Sequence, residues 1–241
     1  MKDSGYFLKL LKLDTDHYPV IAVVGGGGKT SLIYRLSEEL HDLGKKVIIS
    51  TTTHMAQDPT LPFAEADQRE AVESLLEKYR FAVAAKVEKE TGKWCSPGEE
   101  TLKKLTGLCD VMLIEADGAK RKPLKVPADW EPSIPSFADL VVSVIGLDCL
   151  GKPICETAHR AEYTSSFLKK NMEAPVTKED VEKIATSIHG LFKDVEQKVY
   201  RVYLNKADVL PDIKAAREIV EDLARQGTMA AYGSLKEAED R

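Results

Sequence analysis

The 241-residue sequence has little of several features that mark particular protein classes. Its four cysteines form no CxxC pair and are too sparse for a disulfide scaffold, which favours a reducing compartment. No window of about 20 uncharged apolar residues exists to span a membrane. The first residues carry lysines and no small-residue cleavage site, unlike a signal peptide. We therefore expect a cytoplasmic protein that binds no membrane.

The sequence also lacks an excess of basic residues, internal repeats and any Gly/Ser-rich linker. Lys and Arg number 34 against 39 acids, a formal charge of −5, which argues against a nucleic-acid partner. Cys149, Cys155 and His159 match no common zinc spacing. Hydrophobic residues make up 43% of the chain, enough for a substantial core. We expect one domain over 1–241, with a small helical lobe over about 156–194.

Short apolar runs alternate with amphipathic stretches along the chain. A β-branched run over 18–24 ends in four glycines, a helical pattern follows over 29–43, and a second apolar run covers 46–50. Ser96-Pro97-Gly98-Glu99 has the pattern of a helix capping box. Further strands are predicted at 81–87, 111–114, 140–145, 199–204 and 229–232. This order predicts an α/β fold of the three-layer P-loop NTPase type, with a mostly parallel central sheet.

The segment between the first strand and helix has the composition of a phosphate-binding loop. Gly25, Gly26, Gly27 and Gly28 let backbone N–H groups converge on phosphate oxygens, beside the positive end of the following helix. Lys29 is expected to face solvent and reach the β- and γ-phosphates, and the Thr30 hydroxyl, followed by Ser31, to ligate Mg²⁺. Val23 departs from the full pattern, which has glycine five residues before Gly28.

Acidic residues follow the strand at 111–114. Glu115 and Gly118 have the spacing of DxxG with Glu for Asp, so a carboxylate here can hold Mg²⁺. Asp117 is a second candidate ligand, or a group that orients the attacking water, and the sequence does not rank it against Glu115. Thr51, at the end of the second strand, is a candidate for the Mg²⁺ shell if that strand lies beside the first. His54 is a weaker candidate for a catalytic base.

A third motif, Asn205-Lys206-Ala207-Asp208, follows the strand at 199–204. A carboxylate at Asp208 can accept two hydrogen bonds from guanine, with Asn205 and Lys206 lining the base pocket. Ser234, after the last strand, is predicted to contact the base from the other side. The same four residues also make a good helix entry with Asp208 as cap, so GTP and ATP both stay open.

A long segment over 118–135 has four prolines, four cations and no periodicity. Lys120, Arg121, Lys122 and Lys125 follow the predicted metal acid, which indicates a mobile, functional loop in which Arg121 and Lys122 face outward from the phosphate loop. They are expected to bind an anion or a client.

Together these segments resemble one family. GGGGKTS, STTTHM, IEADGAKRKPLKVP, VIGLDCLGKP and LNKAD are similar to the YqeC-type accessory proteins linked to selenium-dependent molybdenum hydroxylases. The resemblance runs from about Val20 to Ser234. It implies a P-loop NTPase-like fold, a molybdenum hydroxylase client or its cofactor-insertion machinery, and a role in maturing that enzyme. The Glu in ExxG also resembles metallochaperone GTPases that load nickel into hydrogenase and urease.

Three functions fit these patterns. The first is a maturation factor that binds GTP or ATP with Mg²⁺ and hydrolyses it, resetting the loop over 118–135. The second is a small-molecule kinase or ligase whose basic loop binds an anionic acceptor. The third is a nucleotide-binding scaffold without turnover, which the missing glycine at Val23 favours.

Overall fold

A computed structural model of the chain describes residues 5–195 and 197–236. Within these residues the chain divides into two compact units. The first takes in the chain up to Val23, with Thr30–Gly118 and Ser133–Leu140. The second takes in Val24–Lys29, Ala119–Pro132 and the chain from Val141 onward. The single domain with a helical lobe stays a prediction.

The elements of the first unit begin near the N-terminus and end at a central strand. In chain order they are α1 (Tyr6–Leu10), β1 (Val20–Gly25), α2 (Lys29–Asp42), β2 (Val47–Thr51), β3 (His54–Met55), β4 (Phe63–Glu65), α3 (Arg69–Tyr79), β5 (Phe81–Val87), β6 (Trp94–Cys95), α4 (Glu99–Leu105) and β7 (Val111–Glu115). The last two residues of β1 and the first of α2 belong to the second unit.

The sheet of the first unit is mostly parallel. β7 pairs in parallel with β1 and with β2, and β2 and β4 pair in parallel with β5. β6 pairs antiparallel with β5 and with β3. The prediction for Thr51 assumed that β2 lies beside β1. In the structure β7 lies between these two strands. Glu115 of β7 is in register with Val23 on one side and Thr51 on the other.

The sequence explains these elements. β1, β2 and β7 are buried along their whole length, as expected of β-branched runs in a sheet covered on both faces. Leu32, Leu36 and Leu40 form the fully buried face of α2. Gly44, with φ of 75°, follows this helix in the left-handed conformation that favours glycine.

The second unit continues the alternation. Its elements are β8 (Leu124–Lys125), β9 (Leu140–Gly146), α5 (Ile154–Thr157), β10 (Ala158–His159), α6 (Ala161–Leu168), α7 (Lys178–Thr186), β11 (Val199–Asn205), α8 (Lys214–Arg225) and β12 (Ala230–Tyr232). β11 lies between β9 and β12 and pairs in parallel with β12, while β8 and β10 form a separate parallel ribbon. Parallel strands and helices in both units confirm the predicted α/β class.

Two local predictions are wrong. The helix α4 is capped by Gly98 without a side-chain hydrogen bond, and Ser96 Oγ instead accepts from the Gly98 N–H at 3.2 Å, so no capping box forms. The segment over 118–135 is not structureless, because it contains β8. No helix in the described part of the chain is long and apolar enough to cross a membrane.

Candidate functional site

The glycines of the phosphate loop, Gly25–Lys29, stand where no side chain fits. A Cβ on Gly25 would lie 2.3 Å from the Val144 carbonyl oxygen, and a Cβ on Gly27 would lie 2.3 Å from the Gly146 nitrogen. Both glycines have positive φ, 91° and 78°. The loop therefore requires glycine at these two positions, both for its positive φ and because neighbouring backbone atoms lie too close to admit a Cβ.

Backbone and side-chain hydrogen bonds fix the path of this loop. The Gly26 N–H donates to the Val144 carbonyl at 2.8 Å, and the Gly27 N–H donates to the Lys122 carbonyl at 3.0 Å. The Asn205 side-chain amide donates from Nδ2 to the Gly27 carbonyl at 2.7 Å. Three segments far apart in sequence thus hold one glycine-rich turn.

Lys29 does not face solvent, contrary to the prediction. Its side chain is buried, and Nζ donates to the Gly25 carbonyl at 2.8 Å. The ammonium group therefore lies folded back over the loop that begins its own helix. A charged group at this depth needs such a polar partner, since an unpaired buried ammonium is costly.

The first unit holds the acidic residues predicted to act on a metal. Thr30 Oγ1 donates to Glu115 Oε2 at 2.6 Å, so the structure brings these two predicted ligands together. Glu115 and Asp117 are both buried, while Ser31 is exposed. The Thr51 hydroxyl donates to the Glu115 backbone carbonyl at 2.9 Å and ties the ends of β2 and β7 together, and its place in the Mg²⁺ shell stays a prediction.

The oxygen donors at Thr30 and Glu115 fit Mg²⁺. A hydroxyl and a carboxylate are hard oxygen ligands, and protein-bound Mg²⁺ keeps several waters and substrate phosphate oxygens in its shell. Two protein oxygens therefore suffice for a nucleotide-bound ion. Among residues 5–195 and 197–236, no three His, Cys, Asp or Glu side chains cluster as a metal site of their own.

The second unit positions the motif predicted to contact a base. Asn205 is buried at the end of β11, and Asp208 is exposed in the short turn that follows. That turn, Ala207–Val209, is preceded by Lys206 and has no side-chain cap, so Asp208 is not a helix cap. Ser234 is buried after β12, and the Ala207 N–H donates to the Gly233 carbonyl at 3.0 Å, which joins the two predicted base-contacting segments.

Asp148 is a residue of this region that the motifs did not single out. Its Oδ2 accepts from Lys206 Nζ at 2.7 Å, while its Oδ1 is buried without a hydrogen-bond partner among the described atoms. The position of Asp148 just after β9 was the available signal, because residues at the carboxyl ends of strands line the ligand crevice of α/β sheets.

The cations over 120–125 do not all face outward. Lys125 is fully buried, and its Nζ lies 2.9 Å from Glu131 Oε2. Lys122 Nζ donates to the Glu156 carbonyl at 2.6 Å. Lys120 and Arg121 are exposed, both with left-handed φ. The ion pair with Glu131 thus keeps Lys125 inside, while Arg121 is exposed as predicted.

His159, next to Lys125 across the β8–β10 ribbon, is buried. Burial, together with the positive charges of Lys125 and Arg160, lowers the pKa of His159 to about 4. This histidine is therefore an uncharged imidazole at neutral pH. His54 is exposed instead, with Nε2 3.1 Å from Glu88 Oε1, and no described contact links it to Thr30 or Glu115.

Comparison with known proteins shows similarity to one family and to individual proteins. The model of the YqeC protein family matches residues 21–162. The Escherichia coli (strain K12) protein YqeC is 32% identical over 235 residues, which cover 90% of this chain and 88% of that protein. The structure of a GTPase from Pyrococcus abyssi in its apo form is 18% identical, covers 92% of this chain and 93% of its own, and superposes with a TM-score of 0.42.

Proposed function

The chain belongs to the YqeC family, and we propose that it binds a nucleoside triphosphate with Mg²⁺ and hydrolyses it to drive the maturation of a client enzyme. The observation that carries the proposal is the phosphate loop, in which glycines occupy positions closed to any Cβ and a lysine lies over the turn. Such a loop before a helix is suited to phosphate.

Each residue has a distinct part in this proposal. Lys29 turns from the Gly25 carbonyl to the β- and γ-phosphates, and backbone N–H groups from Gly25 to Ser31 surround them. Thr30 and Glu115 hold Mg²⁺, which supplies charge neutralisation when bound. Asp117 orients the attacking water. Catalysis is then positioning and electrostatic stabilisation, as in other phosphoryl transfers.

The phosphate loop would couple nucleotide binding to the basic segment over 118–135. The Gly26 and Gly27 N–H groups donate to Val144 and Lys122 in the structure. Phosphate oxygens that accept hydrogen bonds from these N–H groups would replace both carbonyl oxygens. The backbone carbonyl of Lys122 would then lose its hydrogen bond to the phosphate loop. A net hydrogen bond of this kind contributes about 0.5–1.5 kcal/mol, which a triphosphate can offset with several charge-assisted bonds.

The base preference is proposed to be guanine. Asn205 braces Gly27, and Asp208 is accessible to accept from two guanine N–H groups, whereas adenine offers an acceptor at one of them. The role in maturing a selenium-dependent molybdenum hydroxylase is supported by the resemblance of the sequence motifs. The client or its cofactor-insertion machinery would then be the partner.

The binding test uses the full chain and fluorescent mant-GTP and mant-ATP, with Mg²⁺ or with EDTA. We expect Mg²⁺-dependent binding of mant-GTP that Lys29→Ala abolishes and that the exposed-site control Lys89→Ala leaves unchanged. Asp208→Ala should weaken mant-GTP selectively, with Asp67→Ala as control. Unchanged affinity in Lys29→Ala would refute the phosphate-loop assignment, and equal losses for both nucleotides would refute the role of Asp208.

Formation of the nucleoside diphosphate, measured together with release of free phosphate, separates the three functions that the sequence leaves open, because a kinase transfers the γ-phosphate to its acceptor and releases none. Turnover without an acceptor supports the NTPase. Turnover only with an anionic acceptor indicates the kinase or ligase, and binding without turnover under either condition indicates a scaffold.

A further inference from the structure

An exposed tryptophan stands at the tip of a rigid turn in the second unit. Trp130 is 65% exposed, whereas the other tryptophan of the chain, Trp94, is 2% exposed. The turn is closed by the Glu131 N–H, which donates to the Ala128 carbonyl at 3.0 Å. A large indole held out in water contributes little to the core, and exposed tryptophans are enriched at binding hot spots.

Lys193 makes this turn rigid. Its Nζ donates to the backbone carbonyls of Ala128, Asp129 and Glu131, at 3.0, 2.7 and 2.6 Å. The Ala128 N–H also donates to Glu131 Oε2 at 3.2 Å. A fixed turn presents its aromatic ring at little entropic cost on binding, which is a property of binding hot spots.

Arg160 places positive charge beside the Trp130 ring. The Arg160 guanidinium lies 5.3 Å from the centre of the Trp130 ring and pairs with Glu131. Lys125 pairs with the same Glu131 oxygen. The Glu131 carboxylate therefore forms ion pairs with both Lys125 and Arg160. The segment over 119–132 carries four cations and two acids, a surplus of positive charge in a chain whose net charge is −5.

The pKa of His159 is lowered by the same cations. Burial lowers its pKa most, and Lys125, Arg160 and Lys120 lower it further against the opposing effect of Glu131. Burial raises the pKa of Glu131, but Lys125, the Ala128 N–H and Arg160 outweigh burial and hold that pKa below its usual range. Glu131 therefore stays ionised and keeps both cations in place at neutral pH.

We propose that Trp130 and Arg160 form a second binding site, distinct from the phosphate loop, for a planar heteroaromatic molecule that carries a phosphate group. The ring would stack on the exposed indole. The phosphate would lie toward the guanidinium and Lys120, because a planar guanidinium forms paired hydrogen bonds to phosphate. Glu131 and Lys193 are positioning residues that fix the guanidinium and the turn.

The test follows the quenching of flavin mononucleotide fluorescence on titration with the full chain. Riboflavin, which lacks the phosphate, and inorganic phosphate, which lacks the ring, are the comparison ligands. AMP, as a smaller ring, is tested by competition. We expect saturable binding of flavin mononucleotide, at least tenfold weaker binding of riboflavin, and only weak competition by inorganic phosphate.

The variants locate the site. Trp130→Leu should weaken flavin mononucleotide at least tenfold. Arg160→Gln should weaken it similarly while changing riboflavin little, and Arg160→Lys should recover only part of the loss. The control Arg225→Gln removes the same charge from an exposed pair with Asp222 and should have no effect. Lys29→Ala should leave flavin binding intact, which keeps this result separate from the phosphate loop.

Three outcomes would overturn the inference. One is that neither flavin mononucleotide nor AMP binds up to about 1 mM. Another is equal binding by the wild type and Trp130→Leu. The third is displacement by inorganic phosphate or a polyglutamate peptide as effective as by AMP, which would show that the ring is not recognised and that the surface attracts any anion.

Discussion

Replacing Gly27 by alanine tests the geometry of the phosphate loop directly. Gly27 has φ of 78°, and a Cβ there would lie 2.3 Å from the Gly146 nitrogen and 2.5 Å from its Cα. These are backbone atoms, so no side chain can rotate away. Gly44 is a matched control, since its φ is 75° and no heavy atom lies within 4 Å of its Cβ position.

Both substitutions place alanine in a left-handed conformation, but only Gly27→Ala also forces a Cβ into neighbouring backbone atoms. A left-handed alanine costs about 1–2 kcal/mol relative to glycine, offset by about 0.4–1 kcal/mol of lost freedom in the unfolded chain. Gly44→Ala should therefore reduce the free energy of unfolding by about 1 kcal/mol or less. Gly27→Ala adds an overpacking cost of about 1–3 kcal/mol and weakens the hydrogen bonds to Lys122 and Asn205, about 0.5–1.5 kcal/mol each.

We expect Gly27→Ala to lose about 2–6 kcal/mol more than Gly44→Ala in urea unfolding. Mant-GTP binding should be lost in Gly27→Ala and kept in Gly44→Ala, measured where both variants are folded by circular dichroism. Equal losses of stability in the two variants, within about 0.5 kcal/mol, would refute the close approach of Gly27 and Gly146.

Three further predictions concern side chains around the loop. Asn205→Ala should weaken mant-GTP and mant-ATP alike by about tenfold or less, because it removes the brace on Gly27 and no base contact; a loss confined to GTP would contradict this. Thr30→Val and Glu115→Gln should each raise the Mg²⁺ concentration needed for half-maximal turnover, in a Mg²⁺ titration of phosphate release, and unchanged Mg²⁺ dependence would remove them from the metal site. As pH falls from 6.5 to about 4, the unfolded chain protonates His159 while the folded chain does not, so the wild type should lose about 1–3 kcal/mol of stability that His159→Gln does not lose; parallel urea-midpoint curves for the two proteins would rule this out.

Local sequence patterns determined the elements and the phosphate loop. Apolar runs of β-branched residues predicted the main strands, and Leu32, Leu36 and Leu40 predicted the buried face of α2, because these periodicities depend on neighbours in sequence. Four glycines before Lys29 and Thr30 predicted a phosphate loop for the same reason. Thr30 and Glu115 were predicted from separate motifs as Mg²⁺ ligands, and the structure joins them by a hydrogen bond.

The sequence did not predict the short strands. β3, β6, β8 and β10 have two residues each, too few for a periodic pattern, and form because partners distant in sequence pair with them. The placement of β7 between β1 and β2 is also a long-range choice. It places Thr51 in register with Glu115, where the Thr51 hydroxyl ties the ends of β2 and β7 together.

Burial of charge was decided only by the tertiary structure. Lys125 and the exposed Lys120 are the same residue type in one basic segment, yet Lys125 is buried because Glu131, six residues later, meets it in space. Lys29 turns inward because the Gly25 carbonyl accepts a hydrogen bond from its ammonium group. The Asp148–Lys206 pair joins residues 58 positions apart. A charge is buried only where such a partner offsets its desolvation, and the fold, not the local sequence, supplies that partner.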